Sequence, residues 1–273
     1  LTALGLLGAA GYKGMEVVFH KAEGAGDAVE AAYSTPPTSE HVSAGPRSAV
    51  SWDTIGREGR RFVNMALTVE EIEAARKHGI KPVLGCEVYV APGDRRDRTS
   101  SRGITDASHH LVLLARDRQG YENLMQLSSI GYLEGFYYRP RVDKEVLARH
   151  HEGLIALSAC VKGEVAQAVL RGRLDQARDI AIFYRELFGR DHFFLEVQNH
   201  GLEEETIVME GMKVLSTELG IPLVATNDCH YLLQQDSRAH DILLCLQTGK
   251  DRDDPNRLRF STTEAYLKSP QEM

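Results

Sequence analysis

Asp228 and His230 close the segment Ile221-Pro-Leu-Val-Ala-Thr-Asn-Asp-Cys-His230, an apolar strand that runs straight into an Asp-x-His pair. Residues i and i+2 of an extended chain point to the same side, so a carboxylate and an imidazole converge there. Both are donors that zinc, manganese or iron accept; the competing reading is a capping Asp beside a satisfied surface His. Glu87 lies within Val83-Leu-Gly-Cys-Glu-Val-Tyr-Val90, a charge in strongly apolar surroundings. A carboxylate is seldom buried without a cationic partner or a metal, and either would satisfy this one. His110 opens the strand His110-Leu-Val-Leu-Leu-Ala115, and His109 just before it faces the other way. Cys160 ends Gly153-Leu-Ile-Ala-Leu-Ser-Ala-Cys160, where a free thiol ordinarily acts as a small hydrophobe.

Glu196, Gln198 and His200 alternate along Phe194-Leu-Glu-Val-Gln-Asn-His200 and share one face, which reads as a pocket rim without a catalytic role. The loop Gly93-Asp-Arg-Arg-Asp-Arg-Thr-Ser-Ser-Arg102 is mixed in charge and reads as a solvated loop. Taken together, Glu87, His110, Cys160, Asp228 and His230 come from different strand edges, where α/β folds build their sites. Several such N, O and S donors hold two or three divalent ions, which generate hydroxide and clamp a phosphoester. The chemistry implied is metal-assisted phosphoester hydrolysis.

The elements that position these residues are legible from about Asn64 onward. An acidic first turn and a Gly79 stop predict a helix over Thr68–His78. Strands are predicted at Pro82–Val90, His110–Ala115, Leu154–Ser158, Phe193–Val197 and Leu223–Thr226. Helices are predicted at Tyr121–Ile130, Asp175–Phe188 and Glu203–Leu219, the last two stopped by Gly189 and Gly220. Strands alternating with helices point to a parallel α/β fold, an open sheet or a closed barrel. Residues 1–63 are rich in Ala, Gly, Ser and Pro and carry little periodicity. Ser34–Ser39 reads as a linker, Met15–Phe19 as a strand, and Leu1–Tyr12 as a helix or a fragment end.

With 273 residues, 42% hydrophobic and 26% charged, the chain has enough apolar surface for a sizeable core and is neither disordered nor fibrous. A net charge of −7 excludes a surface that is basic throughout, leaving room for local basic patches. Four dispersed cysteines without a C-x-x-C pair fit reduced thiols in the cytoplasm. No stretch approaches the roughly 20 apolar residues of a membrane helix. A start at Leu rather than Met reads as a piece of something longer.

Several long motifs resemble the PHP (polymerase and histidinol phosphatase) domain of bacterial DNA polymerase III alpha subunits. They are Gly85-Cys-Glu-Val-Tyr-Val-Ala-Pro-Gly93, His109-His-Leu-Val-Leu-Leu-Ala115, Gly131-Tyr-Leu-Glu-Gly-Phe-Tyr-Tyr-Arg-Pro-Arg141, Gly153–Cys160, Leu223-Val-Ala-Thr-Asn-Asp-Cys-His-Tyr231, Leu243–Lys250 and Tyr266–Met273. The resemblance runs from Asn64 to Met273, about three quarters of the chain. It implies an α/β fold, the distorted (β/α)7 barrel of PHP domains, incomplete in its first strands. A PHP barrel over 64–250 would lead at 251–273 into the connection to a polymerase core. It also implies metal ligands at Glu87, His110, Cys160, Asp228 and His230, for zinc, manganese or iron. The family's N-terminal His-x-His and its Asp-His-Gly before Asn-Met are absent, Arg61-Phe-Val63 standing in place of the latter. Residues 1–63 are thus unassigned, through either a corrupted sequence or a metal-free, structural PHP domain. The implied function is the N-terminal module of a DNA polymerase that uses Mg in its own palm. Its partners would be the polymerase core, a proofreading exonuclease and, through the full-length protein, DNA, with no membrane. The alternative is a free-standing metal-dependent phosphoesterase or 3'-5' exonuclease.

Overall fold

Short, nearly continuous apolar runs build the strands, buried on both faces, and apolar residues spaced three and four apart build the helices that cover them. The computed structural model describes residues 3–8, 16–20, 77, 81–98, 108–269 and 272–273. The strands among them are β1 (Ala3–Gly8), β2 (Glu16–His20), β3 (Lys81–Val90), β4 (His109–Ala115), β5 (Arg141–Val142), β6 (Leu154–Leu157), β7 (Phe193–Val197) and β8 (Leu223–Thr226). The helices are α1 (Arg118–Leu133), α2 (Lys144–Arg149), α3 (Glu164–Leu170), α4 (Leu174–Phe188), α5 (Glu203–Leu219) and α6 (Ser237–Thr248). Of the helix predicted at Thr68–His78 only Lys77 is described, and it is helical; Ser34–Ser39 lies outside the described residues.

Strand order is β2-β1-β8-β7-β6-β4-β3-β5, and β2 also pairs with β3, so the order returns on itself. The joints are uneven. β1 meets β8, and β6 meets β7, through two residue pairs each, whereas β3 meets β4 through six. This is the distorted α/β barrel architecture expected from the sequence. Residues whose role there was unassigned contribute β1 and β2, and the segment read as a helix or fragment end is strand β1. The sheet is mixed rather than parallel: β2 and β4 run against both of their neighbours. That reversal matters for the site, because the amino end of β4 lies level with the carboxyl ends of β3 and β6.

Side-chain parity separates two apolar clusters. Cys86, Val88, Val90, Leu111 and Leu113 face outward and pack under the helices. There α4 contributes Ala177, Ile180, Ala181, Tyr184 and Phe188, a stripe at helical spacing. The opposite parity fills the barrel interior with Val112, Leu114, Leu157, Ala159 and Val224, joined by Val83, Ile155 and Phe194. The inward parity continues upward through Glu87, Tyr89, His110, Glu196 and Thr226. An apolar plug therefore supports a polar layer at one end of the barrel.

Candidate functional site

The polar layer begins with Glu87 on β3 and His110 on β4. His110 Nδ1 is 2.9 Å from Glu87 Oε1, both side chains almost fully buried. The same nitrogen lies 3.7 Å from Cys160 Sγ in the turn after β6. That turn is tight: Ala159 adopts φ 63°, and the Gly163 N–H donates to the Cys160 carbonyl at 2.8 Å. His110 also holds the turn through its own backbone N–H, which donates to the Lys162 carbonyl at 3.1 Å. Tyr89, opposite His110 in the ladder, sets its ring edge-on to the imidazole at 5.1 Å.

Glu196 on β7 forms the next part. Its backbone N–H donates to Ser158 Oγ at 2.8 Å, and its Oε1 accepts from the Thr226 hydroxyl and, at 3.1 Å, from the Gln198 amide. Its other oxygen, Oε2, is buried with no hydrogen-bond partner among the described residues. Burial, reinforced by the Asp228 and Glu87 carboxylates, pushes the Glu196 carboxyl up to about 7. Three carboxylates therefore share one electrostatic neighbourhood.

Asp228 and His230 follow β8. Asp228 sits in the left-handed region at φ 38°, uncommon for a residue with a Cβ. His230 Nδ1 is 2.7 Å from the Asp228 carbonyl and 3.8 Å from its carboxylate. A carbonyl only accepts, so Nδ1 is the donor in this contact. The His230 ring packs against Phe260 at 4.8 Å and His240 at 5.5 Å. Residues 264–266 strap this loop: Asn227 donates to the Glu264 and Tyr266 carbonyls at 2.9 and 2.6 Å, and the His230 N–H donates to Ala265 at 2.8 Å.

His200, expected beside Glu196 and Gln198 on a pocket rim, is buried with both ring nitrogens engaged. Nδ1 meets Glu205 Oε1 at 2.5 Å, and Nε2 donates to the Asn227 carbonyl at 2.7 Å. Burial opposes protonation, but the Glu205 carboxylate and the Asn227 carbonyl outweigh it, so the His200 pKa is raised. Each ring nitrogen is thus spent on a protein oxygen rather than offered to a metal. His200 instead anchors the residue before Asp228. Of the loop 93–102, residues 93–98 are described, and Arg95 is a buried anchor rather than a solvated charge, bonded to Glu134, Asp143 and Glu145.

The five ligand candidates thus fall into two contacts, Glu87–His110–Cys160 and Asp228–His230. Among the described residues no group of three His, Cys, Asp or Glu is arranged to hold a metal ion. The donor types suit a divalent ion, but their placement on these strands does not by itself supply a coordination shell. Tyr89, Thr226, Ser158 and Glu205 were not singled out from the sequence. Thr226 was within reach, two residues before Asp228 on the same face.

Known proteins are similar to this chain in sequence. The model of the PHP domain matches residues 62–200, about half of the chain. The chain belongs to the PHP domain family. A second model, the N-terminus of an alpha/beta-hydrolase family, matches residues 4–66, under a quarter of the chain. The two matches meet where the patterning changes, near Asn64. The chain is 54% identical over 195 residues to the DNA polymerase III subunit alpha of Treponema pallidum, covering 71% of the chain and 17% of that protein. The corresponding proteins of Deinococcus radiodurans and Thermus aquaticus are 48% and 45% identical over 214 and 210 residues. These matches cover 78% and 77% of the chain, and 15% and 17% of the two relatives. The chain spans less than a fifth of the length of these relatives. No helix among the described residues is long and apolar enough to cross a membrane.

Proposed function

We propose that this chain is the N-terminal PHP module of a cytoplasmic replicative polymerase of the DNA polymerase III alpha type. There it braces the polymerase core and docks the proofreading exonuclease subunit. The observation that carries the reading is the match of about three quarters of the chain to a small part of much longer alpha subunits. DNA synthesis, with its Mg ions, would belong to residues outside this module. The start of the PHP match at residue 62 supports a boundary near 63 in the sequence, whereas β1 and β2 pair with β8 and β3 and so carry the barrel back into residues 1–63.

The site favours a scaffold over a phosphoesterase. Glu87, His110, Cys160, Asp228 and His230 are read as the remnant of a ligand set for zinc, manganese or iron. In this chain their donors are committed to one another: His110 faces Glu87 and Cys160 through one nitrogen. The test is to assay the purified chain on bis(p-nitrophenyl) phosphate and single-stranded DNA with zinc, manganese or iron(II), alongside His110→Ala. Turnover no higher than that of the variant is expected, together with co-elution of the chain and the exonuclease subunit on size exclusion. Metal-dependent turnover that His110→Ala abolishes would overturn the scaffold reading in favour of a PHP-type phosphoesterase.

A further inference from the structure

Helix α6 carries two apolar faces, and one of them is left open. His240, Leu244 and Cys245 are buried, His240 among the rings of His230, Tyr231 and Phe260. Ala239, Ile242, Leu243 and Leu246, at the spacing i, i+3, i+4 and i+7, share the other face and are exposed, Leu246 by 74% and Ile242 by 51%. We propose that this outer stripe pairs with the same stripe of a second copy of the chain, the two helices antiparallel about a two-fold axis between Ile242 and Leu243.

A stripe of the same spacing on α4 sinks into the core at Ala177, Ile180, Ala181 and Tyr184. A surface helix ordinarily turns polar residues outward, and one that is apolar on both sides is a covered helix. Of fourteen large apolar side chains exposed among the described residues, eight fall between 232 and 267, a concentration rather than the scatter usual on a monomer. The helix is also fixed in place. Arg257 grips the Asp241 carboxylate through two bonds of 2.6 and 2.8 Å, and Gly249, at φ 64°, closes the last turn by donating to the Cys245 carbonyl. A partner meeting this face orders little on binding, which favours affinity.

The order of residues along the stripe suits a second copy. In an isologous pairing each contact occurs twice, once in each direction. About the proposed axis Ile242 meets the second copy's Leu243, and Ala239 meets the second copy's Leu246. The smallest side chain of the stripe thus faces the most exposed one at both ends. The flanks agree: Arg238 falls opposite the second copy's Gln247, so no like charges are opposed. A parallel pairing would set Arg238 against Arg238 and Ala239 against Ala239, with repulsion and a gap at one end.

The inference goes beyond the scaffold reading and does not rest on it, since it concerns the chain alone. Sedimentation equilibrium of the purified chain is expected to show the mass rising from one copy to two with concentration, and no further. Leu246→Glu should weaken the pairing at least about tenfold, because the change enters the interface twice. Leu133→Glu, at an 82% exposed position on α1, is the control and should pair as the parent does. Oxidative cross-linking reads the register: Ala239→Cys and Leu246→Cys in one chain should join two copies above the parent's background. Leu246→Cys alone should not, because its two positions lie about 10 Å apart along the helix axis. A monomer at every concentration would overturn the proposal and leave the face to a different partner. Unchanged pairing in Leu246→Glu, an equal loss in Leu133→Glu, or cross-linking by Leu246→Cys alone as efficient as by the pair would each overturn it too.

Discussion

His110 Nδ1 lies 2.9 Å from Glu87 Oε1, although the residue opposite His110 in the sheet is Tyr89. The contact is diagonal across β3 and β4, and it exists because Glu87 and Tyr89 stand two residues apart on the same inward face. One imidazole therefore touches both the carboxylate in the polar layer and the aromatic ring at the mouth. The reversed direction of β4 makes this geometry available, by bringing the first residues of that strand to the level where β3 ends.

Removing the imidazole takes a partner from a buried carboxylate. Leaving a buried carboxyl group without its hydrogen-bond partner costs about 1–3 kcal/mol, and more when the group is charged. His110→Ala is expected to lower the urea unfolding midpoint by an amount of that order. Glu87→Gln should cost less, since a neutral amide has no charge to desolvate. Equal losses in the two variants would show that charge burial is not what the pair settles.

Glu196 makes stability depend on pH in a direction opposite to that of most carboxylates. Its folded pKa is about 7 against an ordinary 4.5, so between those values the folded chain keeps a proton that the unfolded chain has released. Stability must fall as pH rises through that window, by about 3 kcal/mol. His200, whose pKa is also raised, adds a loss in the same direction above pH 6.5. Chemical denaturation at pH 5 and pH 8 is expected to show the parent weaker at pH 8. Glu196→Gln should recover most of that difference and leave the His200 part. A variant with the same slope as its parent would remove Glu196 from the explanation.

Much of this was readable from residue types and spacing. The strands β3, β4, β6, β7 and β8 fall within a residue or so of their predicted limits, because apolar runs bounded by Gly and helix stops leave few alternatives. Short elements were not readable: β5 has two residues and α2 six, too few for a period to show. Strand direction was misread as parallel, since alternation with helices does not report which neighbour a strand chooses. At the site, Glu87 and His110 were named, but their contact depends on the diagonal register. His200 was read as rim because it alternates with Glu196 and Gln198, but β7 ends at Val197 and His200 turns instead to Glu205, at the start of the next helix.

Arg95 shows how far a charged loop can differ from its bland reading. Its side chain is about 1% exposed and reaches Asp143 and Glu145 at 3.0 Å and Glu134 at 2.6 Å. Asp143 is also the N-cap of α2, accepting from the Val146 N–H at 3.0 Å. Arg95→Ala leaves that carboxylate without its guanidinium and should destabilise the chain by about 3–5 kcal/mol. Arg96→Ala, exposed on the neighbouring position, should cost under about 1 kcal/mol. Thermal unfolding of the two variants side by side separates them; similar melting temperatures would refute the anchoring role.

The turn that carries Cys160 depends on a missing side chain. A Cβ on Gly163 would stand 2.0 Å from the Ser158 carbonyl oxygen, a backbone atom that cannot swing aside. The same stretch gives Glu196 its Ser158 bond and His110 its contact with Lys162. Gly163→Ala is therefore expected to push the turn outward, at a cost of about 1–3 kcal/mol from overpacking. The shift should also loosen the packing around the Cys160 thiol and speed its alkylation by iodoacetamide under native conditions. Gly172, which has open space around it but a left-handed φ of 69°, provides the contrast. Gly172→Ala should strain its own backbone, lower the melting temperature modestly, and leave Cys160 alkylation at the parent rate. Unchanged alkylation in Gly163→Ala would mean that the turn absorbs the methyl group without moving the thiol.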